Sequence, residues 1–111
     1  MIRAACLLVL FALPAAAQDR IVSLGGSVSE IVAALGAADR LIGRDSTTLY
    51  PPELTALPDV GYVRALSPEG VLSVGPDLIL SEDGAGPPEA VEALRQAGVP
   101  FVTIPLSLIH I

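Results

Sequence analysis

Arg20-Ile-Val-Ser-Leu-Gly-Gly-Ser-Val-Ser-Glu-Ile-Val-Ala-Ala-Leu-Gly36 is the stretch whose reading decides the fold. Arg20 to Leu24 is a short β-type run with Ile21, Val22 and Leu24 as its apolar members, and Gly25-Gly26 ends it. Ser27-Val28-Ser29-Glu30 has the form of a capping box, in which the serine hydroxyl accepts from a first-turn amide and the glutamate reaches back. Val28, Ile31, Ala34 and Leu35 then recur at helical spacing. Gly36 suits the left-handed position that closes a helix. A strand that passes through a glycine turn into an amphipathic helix opens a β-α-β unit.

The alternation continues toward the C-terminus. Leu41-Ile42-Gly43 is a second short strand, and residues 44–66 are irregular and rich in turn formers. Connections that long are uncommon in compact domains and often carry function. Ser67-Pro68-Glu69 starts a brief helix that stops near Ser73-Val74-Gly75: serine caps, proline takes the first turn, and the glutamate favours the positive helix end. Leu78-Ile79-Leu80 is a continuous apolar run suited to a strand covered on both faces. A loop over 84–88, a helix from Glu89 to Ala97 closed by Gly98, and a strand at Phe101–Ile104 complete the pattern. Strand alternating with helix gives an α/β fold, a parallel sheet of about four strands with flanking helices and right-handed crossovers. Ligands of such sheets sit beyond the carboxyl ends of the strands, here 24–26, 43–50, 80–82 and the region near Pro105.

The chain has 111 residues, enough for one small domain. Its N-terminus reads as a secretory signal peptide over 1–17: a basic start, an apolar run from Ala4 to Leu13, Pro14, and small residues before cleavage after Ala17. The one cysteine, Cys6, leaves with that segment, so the mature chain is expected to lack disulfides, cysteine-ligated metal and a cysteine nucleophile. The other end, Leu106 to Ile111, reads as the translation of a sequencing-adapter end. Residues 106–111 are therefore expected to be an artefact of a gene cut at a sequencing boundary, and His110 takes no role. The α/β domain is expected to occupy 18–105. No lysine occurs, and six arginines stand against twelve acids, which argues against nucleic acid and anionic lipid as partners.

Few residues in this span carry chemistry. Gly25-Gly26-Ser27 precedes a helix N-terminus and can hold an anion, but the dinucleotide and phosphate-loop fingerprints are absent, so a tight turn is the better reading. Tyr62 follows a proline-bearing loop and precedes a helix. A phenolate is a hard ligand for ferric iron and a known axial ligand of haem, and Arg64 can pair with that phenolate or with a propionate. Spacing alone favours an ordinary half-buried loop tyrosine. Tyr50, before two prolines, is expected to pack rather than ligate. Asp45, Ser46, Thr47 and Thr48 read as loop hydrogen-bonders at a strand end. Glu82-Asp83 is a carboxylate pair with no histidine or cysteine nearby in sequence, and no nucleophile–base set is visible, so catalysis is not expected.

Four stretches resemble one family. Arg20 to Gly36 and Leu41 to Pro52 resemble the opening of substrate-binding proteins that serve haem, cobalamin and siderophore ABC importers. Leu57-Pro-Asp-Val-Gly-Tyr-Val-Arg-Ala-Leu-Ser-Pro-Glu-Gly-Val-Leu-Ser73 and Pro76 to Leu80 resemble the haem (hemin) subgroup in particular. The resemblance implies a soluble, monomeric periplasmic protein of two Rossmann-like lobes joined by a long helix, with the ligand in the cleft. This chain would be the N-terminal lobe, with the second lobe absent. It further implies Tyr62 as the axial ligand to haem iron, Arg64 as an auxiliary haem contact, and Glu69 as the residue that docks the lobe onto a membrane permease driven by a cytoplasmic ATPase. One departure is the lack of the lysine that many members carry around Val74-Gly75. Cobalamin or a ferric siderophore in the same fold remains an alternative, as does a nucleotide-binding domain of an exported enzyme using Gly25-Gly26.

Overall fold

Every strand of the sheet runs the same way. In the computed structural model, which describes residues 19–105, four strands form one parallel sheet in the order β2-β1-β3-β4. The segment at 1–17 with Cys6, expected to be a signal peptide, and the tail at 106–111 with His110, lie outside the described residues.

Strand β1, Ile21–Leu24, is buried along its whole length because it has a neighbour on each edge and helices on both faces. It leads through Gly25 into α1, Gly26–Ala34. The capping box expected at Ser27–Glu30 does not form. The helix begins two residues earlier than that box requires, with Gly25 as its N-cap at φ 105° and no side-chain cap of its own. The cap comes from elsewhere: the Gly26 amide donates to Thr47 Oγ1 at 2.9 Å. Gly36, at φ 80°, closes the helix as expected.

A short 3-10 turn at Ala38–Arg40 feeds β2, Leu41–Arg44, which pairs with β1. After the long connection, α2 spans Pro68–Leu72, capped by Ser67 Oγ, which accepts from the Gly70 amide. Strand β3, Leu78–Glu82, pairs with the other edge of β1 from Ile21↔Leu78 to Leu24↔Ser81. Helix α3, Pro88–Gln96, and β4, Phe101–Ile104, follow, and β4 pairs with β3. The residue pattern of the sequence thus yields the parallel α/β layering it predicts, with strand and helix ends shifted by one or two residues.

Two apolar layers hold the sheet. Val22 and Leu24 of β1 point to one face, where they pack with Ile79, Val71 of α2 and Ala90 and Leu94 of α3. Ile21 points to the other face and joins Leu41, Leu54, Leu78 and Val32 of α1. Each such fully buried aliphatic side chain stabilises the fold by about 1.5–3 kcal/mol. The chain passes from β1 to β2 on one side and then returns to place β3 on the other side of β1. That reversal makes the carboxyl ends of β1 and β3 the topological switch point, where a crevice opens in this class of sheet.

Candidate ligand site at the carboxyl edge of the sheet

The long connection returns to the sheet before it reaches α2. Asp59 forms a parallel bridge with Arg44, the Val60 amide donates to Arg44 O at 2.8 Å, and the Ser46 amide donates to Gly61 O at 2.9 Å. Further on, the Gly86 amide donates to Val63 O at 3.0 Å, and the Leu66 amide donates to Gly86 O at 2.8 Å. Residues 61–66 are therefore tied to the end of β2 at one side and to the loop after β3 at the other. The span lies across the carboxyl edge where the switch point is. Val63 and Leu66 anchor it from below in the core, while Tyr62 and Arg64, on either side of Val63, are exposed.

Arg44 organises what precedes the span. Its guanidinium donates to the carbonyls of Leu57 at 3.3 Å and Thr55 at 3.1 Å, and pairs with Asp59 at 3.8 Å. Gly61 adopts φ 111°, a conformation few other residues take, and this turns the chain out so that Tyr62 stands clear. Tyr62 is 46% exposed. Neither its phenol nor the Arg64 guanidinium makes a hydrogen bond or ion pair with another described residue. Glu69 is exposed in the first turn of α2, directly after the span.

The floor beneath is polar and fully satisfied. Asp45 is completely buried and accepts from Thr47 Oγ1 at 2.9 and 3.0 Å and from Thr48 Oγ1 at 3.0 Å. Thr48 shares a hydrogen bond with Ser29 at 2.6 Å, and Ser29 shares another with Ser23 of β1 at 2.6 Å. The loop threonines and Asp45 are thus hydrogen-bonders, as their residue types suggest. What sequence reading missed is that they close into one network binding α1, β1 and the loop after β2.

Glu82 was legible only as half of a carboxylate pair. Its side chain turns inward over the β1–α1 turn, with its carboxyl carbon 2.5 Å from where a Cβ on Gly25 would stand. Burial, and after it the charge of Asp45, raises the Glu82 carboxyl above the usual glutamate range, with Arg64 pulling the other way. The glycine turn is consequently unsuited to a phosphate. The Gly26 amide is already engaged by Thr47, and a carboxyl group lies against Gly25.

Tyr50, expected to pack, is 65% exposed instead. It stands beside Pro51 on the wall of a separate open groove of about 490 Å³ along Glu30, Ile31, Ala33 and Ala34 of α1. That groove offers only the Glu30 carboxylate and the Tyr50 hydroxyl as polar side-chain groups to orient a ligand. No cluster of metal-ligating side chains occurs among the described residues.

This arrangement is a parallel α/β lobe with the exposed 61–66 span across the carboxyl edge of its sheet. Residues 21–107 match the periplasmic binding protein family, and the chain belongs to it. Its structure is similar to that of the periplasmic heme-binding protein RhuT from Roseiflexus sp. RS-1, at 46% identity and TM-score 0.76 over 79% of this chain and 34% of that one. A periplasmic heme-binding protein from Pseudomonas aeruginosa matches at 44% identity and TM-score 0.77, over 79% of this chain and 32% of that one. The vitamin B12-binding protein of Yersinia pestis (strain Pestoides F) is 33% identical over 98 residues, 88% of this chain and 35% of that protein. The chain thus spans about a third of the length of these relatives, and its four-stranded parallel sheet with flanking helices corresponds to their N-terminal lobe.

Proposed function

We propose that this chain is the N-terminal lobe of a periplasmic solute-binding protein that captures ferric haem for an ABC importer. The observation that carries the reading is Tyr62: a half-exposed phenol with no partner among the described residues, held out over the switch point by hydrogen bonds on both sides of it. A phenolate suits ferric iron, whose charge favours the ionised form well below the ordinary tyrosine range. Arg64, on the same exposed side of the span, is suited to a propionate or to the phenolate itself. Greater identity to the two heme-binding proteins than to the vitamin B12-binding one supports haem over cobalamin.

In this reading the protein performs no chemistry. It shields the porphyrin between two lobes in the periplasm and delivers it to a permease dimer coupled to a cytoplasmic ATPase. Glu69, exposed at the start of α2, supplies the acidic contact on this lobe. The test is a hemin titration followed by visible absorption, with the second lobe in place, beside the Tyr62→Phe variant. A saturable ferric tyrosinate spectrum that disappears in the variant is the expected result; an unchanged spectrum removes Tyr62 from the site.

The vitamin B12-binding relative favours a second reading, in which the same lobe takes a corrinoid. Saturable cyanocobalamin binding that Tyr62→Phe leaves unaltered, with no hemin saturation, would establish it.

A further inference from the structure

The crevice holds a carboxyl group that haem capture does not call for. Glu82 ends β3 at the switch point, and its Cγ, Cδ and Oε2 lie 2.6, 2.5 and 2.7 Å from the Cβ position of Gly25. Gly25 leaves room for that side chain at the N-terminus of α1, and the Gly25-Gly26 turn itself supplies no titratable group. The groups facing Glu82 come from elsewhere. The loop after β2 gives the buried Asp45, and the 61–66 span gives Arg64. Arg64 reaches over the loop after β3, its Cζ 3.9 Å from the Cβ position of Gly84. A ligand carboxylate drawn to Arg64 is therefore brought toward Glu82 as well.

We propose that Glu82 sets the charge selectivity of the crevice: ionised, it opposes an anionic ligand seated on Arg64, and with a proton from solvent on one carboxyl oxygen it admits that ligand. The ligand class is a polycarboxylate macrocycle such as a porphyrin with free propionates, so the inference rests on the haem reading above. Burial and Asp45 already favour the proton on Glu82, and a ligand carboxylate favours it further. Binding then takes up a proton at this residue, opposite in sign to the proton that an iron-bound Tyr62 releases.

Comparing each pH with a charge-free variant separates the two. Hemin affinity is measured for the wild type and Glu82→Gln, both with the second lobe present, from about pH 5 to about pH 9. Glutamine matches the protonated acid in shape, so the two affinities draw together as pH falls. At the alkaline end Glu82→Gln binds about tenfold tighter, the scale of one like-charge contact at a partly solvated site. Glu82→Asp, which keeps the charge, follows the wild type. An affinity ratio that does not change with pH, or a glutamine variant that is weaker throughout, overturns the proposal while leaving haem binding intact. Absence of saturable hemin binding in the wild type overturns the haem reading and this inference with it.

Discussion

Glu82 fills the space that a side chain on Gly25 would need. Glu82 ends β3 and Gly25 follows the adjacent strand β1, and the carboxyl carbon of one lies 2.5 Å from the Cβ position of the other. Gly25 is also held at φ 105°, so Gly25→Ala meets both a clash and an unfavourable backbone. The expected cost is about 3 kcal/mol, read as a lowered midpoint of urea unfolding. Adding Glu82→Ala should restore only part of it, because the clash is relieved and the backbone strain is not.

Glu82 also gives stability a pH dependence. Its carboxyl holds a proton in the folded state more tightly than the ordinary value of 4.5 that applies when unfolded. Its contribution is complete below that value and is lost as pH rises through the folded-state titration. Thermal unfolding of Glu82→Gln should lack this alkaline loss, so the variant gains on the wild type as pH is raised.

Tyr62→Phe should separate binding from folding. The phenol makes no hydrogen bond with a described residue and is 46% exposed, so stability should change by less than about 0.5 kcal/mol. Hemin affinity should fall by at least about tenfold, with loss of the charge-transfer band.

Asp45 lies under the crevice as the acceptor of three short contacts from Thr47 and Thr48. Asp45→Ala leaves both hydroxyls searching for partners in a buried network that also holds Ser29 and Ser23. A loss of about 3 kcal/mol is expected in chemical denaturation, and Thr48→Val should cost about half as much.

Ser67→Ala removes the side-chain cap of α2, whose contact to the Gly70 amide is long at 3.4 Å. The expected loss is about 0.5–1 kcal/mol, at the low end for such caps. Circular dichroism melting measures it, and hemin affinity should stay unaltered because the span is anchored through Val63, Leu66 and Gly86 instead.

The fold was legible where neighbours in sequence determine it. Ile21 to Leu24, Leu78 to Leu80 and Phe101 to Ile104 announce strands by their apolar β-type runs, and Ser67-Pro68 announces its helix by cap chemistry. The local pattern misleads where a distant group takes over. Ser27 and Glu30 have the right spacing for a cap, yet the helix starts ahead of Ser27, and Thr47, remote in sequence, accepts from its first amide at Gly26. Glu82 could not be separated from Asp83 by sequence, since its inward turn depends on a bare glycine just past the end of the neighbouring strand. Tyr62 and Arg64 were legible as residues, but their common exposure over the switch point comes from hydrogen bonds to Ser46 and Gly86 on two different loops.

The way the 61–66 span is fastened has a consequence for how such a lobe diversifies. Its attachments are made by main-chain atoms of Gly61, Val63 and Leu66, and its grip on the interior by two aliphatic side chains. Positions 62 and 64 contribute to neither. Their identities are free to drift under selection for whatever cargo is available, while the frame that presents them keeps its shape. A new appetite then requires two codons rather than a new scaffold.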